Sequence, residues 1–254
     1  MRSIAALVVL TCSAAVDAGV ALDMITRDMA GEETERSQVF AQDGFLRLDS
    51  DGGPFASDVS LIFDGTRFLV LDHAEKTYII MDEAMLLQIT EKMNEAMAQL
   101  PPEQRAIAEQ MMQARMGSNE VAPPHVEETG SGEWDGRACS KFDVFENDIK
   151  TQEVCAAPLD KVHGAAEMME TYQAMARFVK KLSESLPGPL GASFNEYPGM
   201  VAELIGGFPI HTIEFRLGAP VSQVALESIT EKALEPSMFE APADYRLEDP
   251  FAGP

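Results

Sequence analysis

Two cysteines placed symmetrically about a turn constrain the fold of this chain more than any other feature. Cys139 and Cys155 lie equally far from Asn147, and the residues on both sides alternate apolar and polar as in β-strands. Glu146, Asn147 and Asp148 are typical of a turn, because Asn and Asp tolerate positive φ. If the chain folds back at Asn147, the two cysteines lie directly opposite each other, with Cβ atoms about 4.5–5.5 Å apart. The sequence therefore predicts an antiparallel hairpin closed by a disulfide.

The first residues are typical of a secretory signal peptide. Arg2 supplies the positive charge, and Ile4–Leu10 is a short apolar core. Small residues follow, and we predict cleavage near Ala18 or Ala21. The apolar run is shorter than the about 20 residues that a transmembrane helix needs. We therefore predict a signal peptide over residues 1–21 and a periplasmic mature protein, in a compartment where a disulfide persists.

A second interpretation of the N-terminus is a lipoprotein signal in which Cys12 is acylated. Thr11 is a poor match for the small residue that precedes such a cysteine. Cleavage near Ala18 or Ala21 instead removes Cys12 and leaves an even number of cysteines, which favours a disulfide in an exported chain. Both interpretations export the protein.

The charge of the chain limits its partners. It has 254 residues, of which 19 are basic and 42 acidic, for a net charge of −23. Such a field repels phosphate backbones, so nucleic-acid binding is not expected. The acidity serves either solubility or an acidic docking face. No segment after the N-terminus is long and apolar enough to predict a transmembrane helix.

The order of predicted elements indicates an α+β domain. Strands are predicted at 37–48, 59–63, 67–71, 77–81 and 126–134, in the cysteine hairpin, and at 208–215 and 221–229. Helices are predicted at 83–100, 104–116 and 159–186. Runs of strands with helices inserted between them favour an antiparallel sheet packed against helices. We predict one such domain over residues 22–254, with a Met-rich helical insertion at about 83–117.

Methionine-rich helix faces are the candidate binding surface. Thioethers adapt to irregular hydrophobic ligands and can bind soft copper, although the helical spacing fits packing against a sheet equally well. The candidates for facing a ligand are Met85, Ile89, Met93, Met97, Met111 and Met112.

No residue pattern predicts catalysis, a metal site or a cofactor. The four histidines, His73, His125, His163 and His211, are scattered along the chain. The chain lacks the motifs of zinc sites, serine hydrolases and phosphate-binding loops. Gly130, Ser131 and Gly132 form only a loose glycine cluster. The sequence therefore predicts a protein that is not an enzyme, with no catalytic residues, no metal and no cofactor.

Two short stretches resemble a known family. The residues from Glu127 through Trp134-Asp135-Gly136 to Cys139 and Phe142 resemble the centre of the family catalogued as domain of unknown function 4412. The ending Phe239-Glu240-Ala241-Pro242-Ala243-Asp244-Tyr245 is similar to the close seen there and in relatives of the lipoprotein carriers LolA and LolB. The resemblance implies an exported protein with a curved antiparallel sheet, half a barrel, wrapped over helices. In LolA-like proteins that concavity accepts acyl chains.

These observations lead to competing functions. We expect a non-catalytic periplasmic protein that binds a lipid or other hydrophobic ligand between the sheet and the helices. The alternative is an envelope interaction or scaffold protein whose core is filled and holds no ligand. The third hypothesis is a hydrolase whose site is assembled only in three dimensions. An apolar cavity between sheet and helices distinguishes the first two.

Overall fold

The computed structural model describes residues 19–52, 58–116, 124–185 and 204–249. The predicted signal core and Cys12 lie outside the described residues. The first six strands are β1 (Gly19–Asp28), β2 (Glu33–Gln42), β3 (Phe45–Gly52), β4 (Val59–Phe63), β5 (Phe68–Asp72) and β6 (Thr77–Met81). The others are β7 (His125–Trp134), β8 (Arg137–Glu146), β9 (Ile149–Ala157), β10 (Phe208–Arg216), β11 (Ala219–Lys232) and β12 (Arg246–Leu247). The helices are α1 (Glu83–Gln99), α2 (Pro102–Met116) and α3 (Ala165–Ser185), with 3₁₀ turns at Leu159–Lys161 and Pro236–Phe239.

The twelve strands of the described residues belong to one open sheet. Its order is β12-β6-β5-β4-β3-β2-β1-β11-β10-β9-β8-β7. Neighbouring strands are antiparallel except for β12, which runs parallel to β6. The prediction of an α+β domain built on an antiparallel sheet is confirmed.

The prediction of a single strand over residues 37–48 is wrong. The chain turns at Asp43 and Gly44, whose φ angles are 54° and 80°, and Gln42 pairs with Phe45 across the turn. Asp-Gly is a preferred pair for a two-residue hairpin turn, because both positions need positive φ. The segment is therefore the β2–β3 hairpin, and β3 continues beyond the predicted strand as far as Gly52.

The predicted helix over residues 159–186 begins later than expected. A 3₁₀ turn at Leu159–Lys161 is followed by Gly164, and α3 starts at Ala165. Gly164 has a φ of 74°, and a Cβ there would lie 2.7 Å from Cγ2 of Val20. Only glycine allows the chain to turn into α3 this close to β1.

α3 lies at the centre of the main core. Its Met168, Met175 and Val179 side chains are 0%, 4% and 5% exposed. They pack with buried strand residues from β5 across the sheet to β8, namely Phe68, Phe63, Leu46, Val39, Val20, Leu226, Ile210, Cys155 and Cys139. Burial also raises the pKa of Tyr172, on the same helix, to about 12. In this part of the molecule, the space between helix and sheet is filled by the protein's own side chains.

The opposite face of β1–β6 is covered by the C-terminal strap, residues 234–247. Alternate strand residues point to opposite faces, so Phe40 and Ile62 face away from α3. They form a second buried cluster with Leu234 and Phe239 of the strap. Phe239 also contacts Phe45, with ring centroids 5.8 Å apart. This end of the sheet is therefore covered on both faces.

α1 and α2 form a helical pair beside the sheet. The carboxylate of Asp82 accepts a hydrogen bond from the backbone of Met85 and caps the start of α1. Arg105 of α2 donates to three backbone carbonyls at the end of α1. Leu86 packs against Leu182 of α3. Within the described ranges, none of the helices combines the length and apolarity needed to cross a membrane.

Candidate functional site

The cysteine hairpin forms, but its register differs from the prediction. The structure contains the Cys139–Cys155 disulfide, with Cα atoms 5.5 Å apart. Lys141, however, is the residue directly opposite Cys155. The turn is centred between Asn147 and Asp148, which both have positive φ, and a bulge at Thr151 in β9 adds one further residue. The disulfide is therefore diagonal across β8 and β9.

A groove opens beside this disulfide, and we name it the Trp134 groove. It has a volume of about 430 Å³. Its lining is Thr129, Glu133, Trp134, Lys141, Phe142, Asp143, Lys150, Glu153, Val154, Cys155, His211 and Ile213. These residues come from β7, β8, β9 and β10, so the pairing of four adjacent strands builds the site.

Two stacked rings form part of the lining of the groove. The rings of Trp134 and His211 are nearly parallel, with centroids 3.5 Å apart. His211 is 8% exposed, and burial lowers the pKa of its imidazole despite a 3.2 Å contact between Nε2 and the amide oxygen of Gln223. The stack is therefore an uncharged surface at neutral pH, suited to aromatic or aliphatic groups.

Trp134 also forms the wall of a second groove. That groove has a volume of about 540 Å³ and is lined by Ile25, Arg27, Trp134, Asp135, Ala225, Leu226 and Glu227. One indole thus separates two concave surfaces. Since Trp134 is the only tryptophan in the chain, its fluorescence reports on this region alone.

The charged groups of the Trp134 groove are partly neutralised. The ammonium of Lys150 lies 2.9 Å from a carboxylate oxygen of Asp143 and 2.5 Å from one of Glu153. Burial opposes the charge of Lys150, but the hydrogen bonds to these two carboxylates outweigh it and raise the pKa of the amine. The stem of Lys141 crosses Gly132, where a Cβ would lie 2.4 Å from Cε. The groove therefore combines an apolar stack with a polar rim.

A separate line of polar groups joins the strap to the sheet. The hydroxyl of Tyr245 lies 2.6 Å from Nδ1 of His73, and Nε2 of that histidine lies 2.6 Å from the hydroxyl of Ser60. Ser60 also contacts Asp49, and Arg47 donates to both of these residues. An open polar groove of about 640 Å³ runs past this line.

The chemistry of these groups sets the direction of their hydrogen bonds. A carboxylate only accepts, so Ser60 donates its proton to Asp49. Nε2 of His73 must then donate to Ser60, and Nδ1 accepts from Tyr245. A nucleophilic serine needs the reverse, with the histidine accepting its proton. Because Ser60 is also only 1% exposed, the line acts as a structural clasp between strap and sheet.

The structure places the predicted ligand-facing residues on α1 and α2. Met85, Ile89 and Met97 are partly buried on α1, and Ile89 packs against the Leu86–Leu182 cluster. The side chains of Met93, Met111 and Met112 lie outside the described part of the chain. A ligand-facing role for these six residues stays a prediction. Among the residues described, no group of three His, Cys, Asp or Glu side chains could hold a metal ion.

The Trp134 groove was missed as a site by sequence reasoning. In the sequence, Trp134 was noted only as part of the family resemblance, and residues 130–132 only as a loose glycine cluster. The available signal was Gly132, a glycine inside a predicted strand. Such a glycine marks a place where another group approaches the backbone closely.

Comparisons with known proteins give a distant likeness. No family model matches the chain, and no curated protein matches it. It is similar to an uncharacterized conserved protein from Thermus thermophilus, at 7% identity and a TM-score of 0.48, over 92% of this chain and 91% of that one. It is also similar to a LolA superfamily protein from Nitrosomonas europaea, at 9% identity and a TM-score of 0.33, over 89% and 91% of the two chains.

A third likeness is to the MucA/MucB complex structure from Pseudomonas aeruginosa, at 10% identity and a TM-score of 0.34. This match covers 91% of this chain and 58% of that one. Because all of these TM-scores are below 0.5, we infer nothing about function from these similarities. The resemblance to the domain of unknown function 4412 stays a prediction.

Proposed function

We propose that the mature chain is a non-catalytic periplasmic interaction protein, and that the Trp134 groove binds an extended segment of another envelope protein. The observation that supports this proposal most strongly is the Trp134–His211 stack, an uncharged aromatic surface inside an open groove with a charged rim. Binding sites for proteins typically combine an aromatic anchor with a polar rim in this way.

The shape of the groove favours a peptide over an acyl chain. Small apolar ligands are usually enclosed in cavities that bury most of their surface. The Trp134 groove instead carries Glu133, Lys141 and the Lys150 cluster on an open rim, which suits alternating apolar and polar side chains. The filled core around α3 also agrees with an interaction protein that holds no ligand there.

A peptide titration tests the proposal. The probe is an acetylated, amidated ten-residue peptide that alternates lysine and valine, added to the purified mature chain while Trp134 emission is recorded. We expect a saturable change in emission, and Trp134→Ala should weaken binding of the fluorescein-labelled peptide about 30-fold, because buried aromatic anchors contribute about 2 kcal/mol.

Leu217→Ala is the matched control, since Leu217 is 96% exposed at a hairpin tip and is not part of the groove lining. It should leave the affinity unchanged. Equal binding by the wild type and the Trp134→Ala variant would contradict the proposed site.

The second candidate function is the binding of a hydrophobic or acyl ligand between the sheet and the helices. It is supported by exposed apolar residues on the helical pair, Leu87 at 46% and Ile107 at 58%. A curved half-barrel related to LolA, as the family resemblance implies, would provide the concavity. Lipid extraction and native mass spectrometry of the purified protein test this candidate, and protein free of lipid that ignores acyl probes would overturn it.

A further inference from the structure

Among the described strands, β7 is at the edge of the sheet, next to the Trp134 groove. β7 is the last strand in the sheet order, and β8 is its only neighbour among the described strands. It is ten residues long and mostly exposed. In such an edge strand, alternate backbone N–H and C=O groups point away from the sheet without a strand to pair with.

The side chains of β7 leave this edge accessible. Thr129, Gly130 and Ser131 are small and exposed at the middle of the strand. Gly132 follows, and its missing side chain makes room for the stem of Lys141. The space at Gly132 is thus filled by Lys141, whereas a Cβ at Gly130 would meet no atom within 4 Å, so the room for a second backbone lies along residues 129–131. A bulge between Glu128 and Gly130 divides the edge into two straight segments.

The charge of β7 selects the partner. Glu127, Glu128 and Glu133 are exposed, and none of them forms an ion pair with another described residue. A second copy of the chain paired along this edge would place these carboxylates near one another, and like charges across a strand pair are destabilising. A basic segment would instead meet opposite charges along the same edge.

We propose that β7 binds a basic extended segment of another protein by adding it to the sheet as a further strand. Main-chain hydrogen bonds to β7 would supply affinity, and lysine or arginine side chains would pair with Glu127, Glu128 and Glu133. At the Trp134 end of β7, an apolar residue of the segment would reach the indole. This inference rests on the proposed function and specifies how the partner of the same site docks.

The test compares the lysine–valine peptide with a peptide of equal charge that alternates lysine and proline. Proline lacks the N–H that strand pairing needs, so this control binds at least about tenfold more weakly if β7 is extended by pairing. Hydrogen–deuterium exchange of the complex should show slower exchange across residues 125–134 with the lysine–valine peptide only.

Protein variants test the charge requirement. The triple variant Glu127→Gln, Glu128→Gln, Glu133→Gln should lose about tenfold in affinity at low salt, since exposed ion pairs contribute about 0.5 kcal/mol each. A control triple variant changes Glu231, Glu235 and Glu240, which are also exposed, to glutamine and removes the same charge elsewhere. Its affinity should stay within about twofold of the wild type.

The outcomes separate this inference from the proposed function. If the peptide changes Trp134 emission but exchange across β7 is unaltered, strand addition is overturned and the groove proposal survives. If both peptides bind equally and both triple variants weaken binding equally, attraction is only through net charge, and strand addition is again overturned. If the peptide changes neither Trp134 emission nor exchange, both proposals fail.

Discussion

The two ends of the sheet are built in opposite ways. At the β6 end, two residues of β12 pair with the outer strand, and the strap covers the face opposite α3. At the β7 end, a ten-residue strand has no described neighbour on its outer side. Among the described strands, one end is therefore covered against further pairing, and the other end is an edge. The same sheet thus provides a stable base at one end and an accessible edge at the other.

Different sequence chemistry produces these two ends. β4 and β5 carry apolar residues on both faces, with Phe63, Ile62 and Leu71 all 0% exposed. β7 contains three glutamates and two glycines within ten residues. Burial on both faces commits the first end to the core, while charge and small residues keep the second end solvated.

The largest predicted effect concerns β1, which joins the two ends. β1 pairs with β2 on one side and with β11 on the other. Val20 and Leu22 are both 1% exposed. We therefore propose that the signal peptide is cleaved after Ala18, so that β1 keeps Gly19. A mature chain that begins at Leu22 should lose about 4 kcal/mol or more in free energy of unfolding, from lost burial of Val20 and lost strand pairing.

Urea unfolding of the two chains, beginning at Gly19 and at Leu22, measures this difference. The intact mass of the exported protein identifies its first residue. Export of a chain that begins at Leu22 with undiminished stability would show that the first three residues of β1 are dispensable.

The second prediction concerns the disulfide of the open end. Cys139 and Cys155 are 16 residues apart, and closing a loop of this size stabilises a protein by about 3 kcal/mol in the chain-entropy model. The double variant Cys139→Ser, Cys155→Ser should therefore lose about 3 kcal/mol in free energy of unfolding, measured by urea unfolding. Its amide exchange should increase in β8 and β9 more than in β4 and β5, because the bridge constrains only the open end. A uniform increase over the whole sheet would contradict this division.

Much of the fold could be predicted from the sequence, because the alternation of apolar and polar residues is clear in the short strands. The alternation at Val59–Phe63 and Thr77–Met81 predicted β4 and β6 with their observed bounds. The errors came from turns and ends. Asp43-Gly44 is a hairpin signal that the loose alternation around it concealed. The start of β1 at Gly19 lies between the two predicted cleavage sites, because small apolar residues are typical both of a cleavage region and of a strand.

The candidate site was much harder to predict. Trp134 and His211 are 77 positions apart in the chain, and they meet because β10 inserts between β9 and β11. No local pattern encodes that order of strands. The diagonal disulfide shows the same limit on a smaller scale. The position of the turn and a bulge in β9 each shifted the pairing by one residue, so Cys155 lies opposite Lys141 and not opposite Cys139. Long-range pairing and register decide the site, and single-sequence periodicity reports neither.

A third prediction tests the clasp of the closed end. Tyr245→Phe removes the hydroxyl that donates to Nδ1 of His73 and leaves that acceptor without its partner. We expect a loss of about 1 kcal/mol in free energy of unfolding. Tyr78→Phe is the matched control, because Tyr78 belongs to the same cluster but its hydroxyl forms no hydrogen bond with another described residue. Equal losses in both variants would show that the effect comes from packing around the ring and not from the clasp.

The smallest predicted effect is the pH dependence of the Trp134–His211 stack at the open end. Burial lowers the pKa of His211 below its ordinary value of 6.5, so the folded state favours the neutral imidazole. As the pH falls through about 6.5, the unfolded chain takes up a proton that the folded chain resists, and stability decreases until the lower folded pKa is reached. His211→Phe keeps a ring against Trp134 but does not titrate. Its free energy of unfolding should therefore fall less steeply than that of the wild type between pH 7.5 and about 5, where urea unfolding is measured. Parallel curves for the two proteins would mean that His211 is protonated as readily in the folded state as in the unfolded one. That result would contradict the description of the Trp134–His211 stack as uncharged.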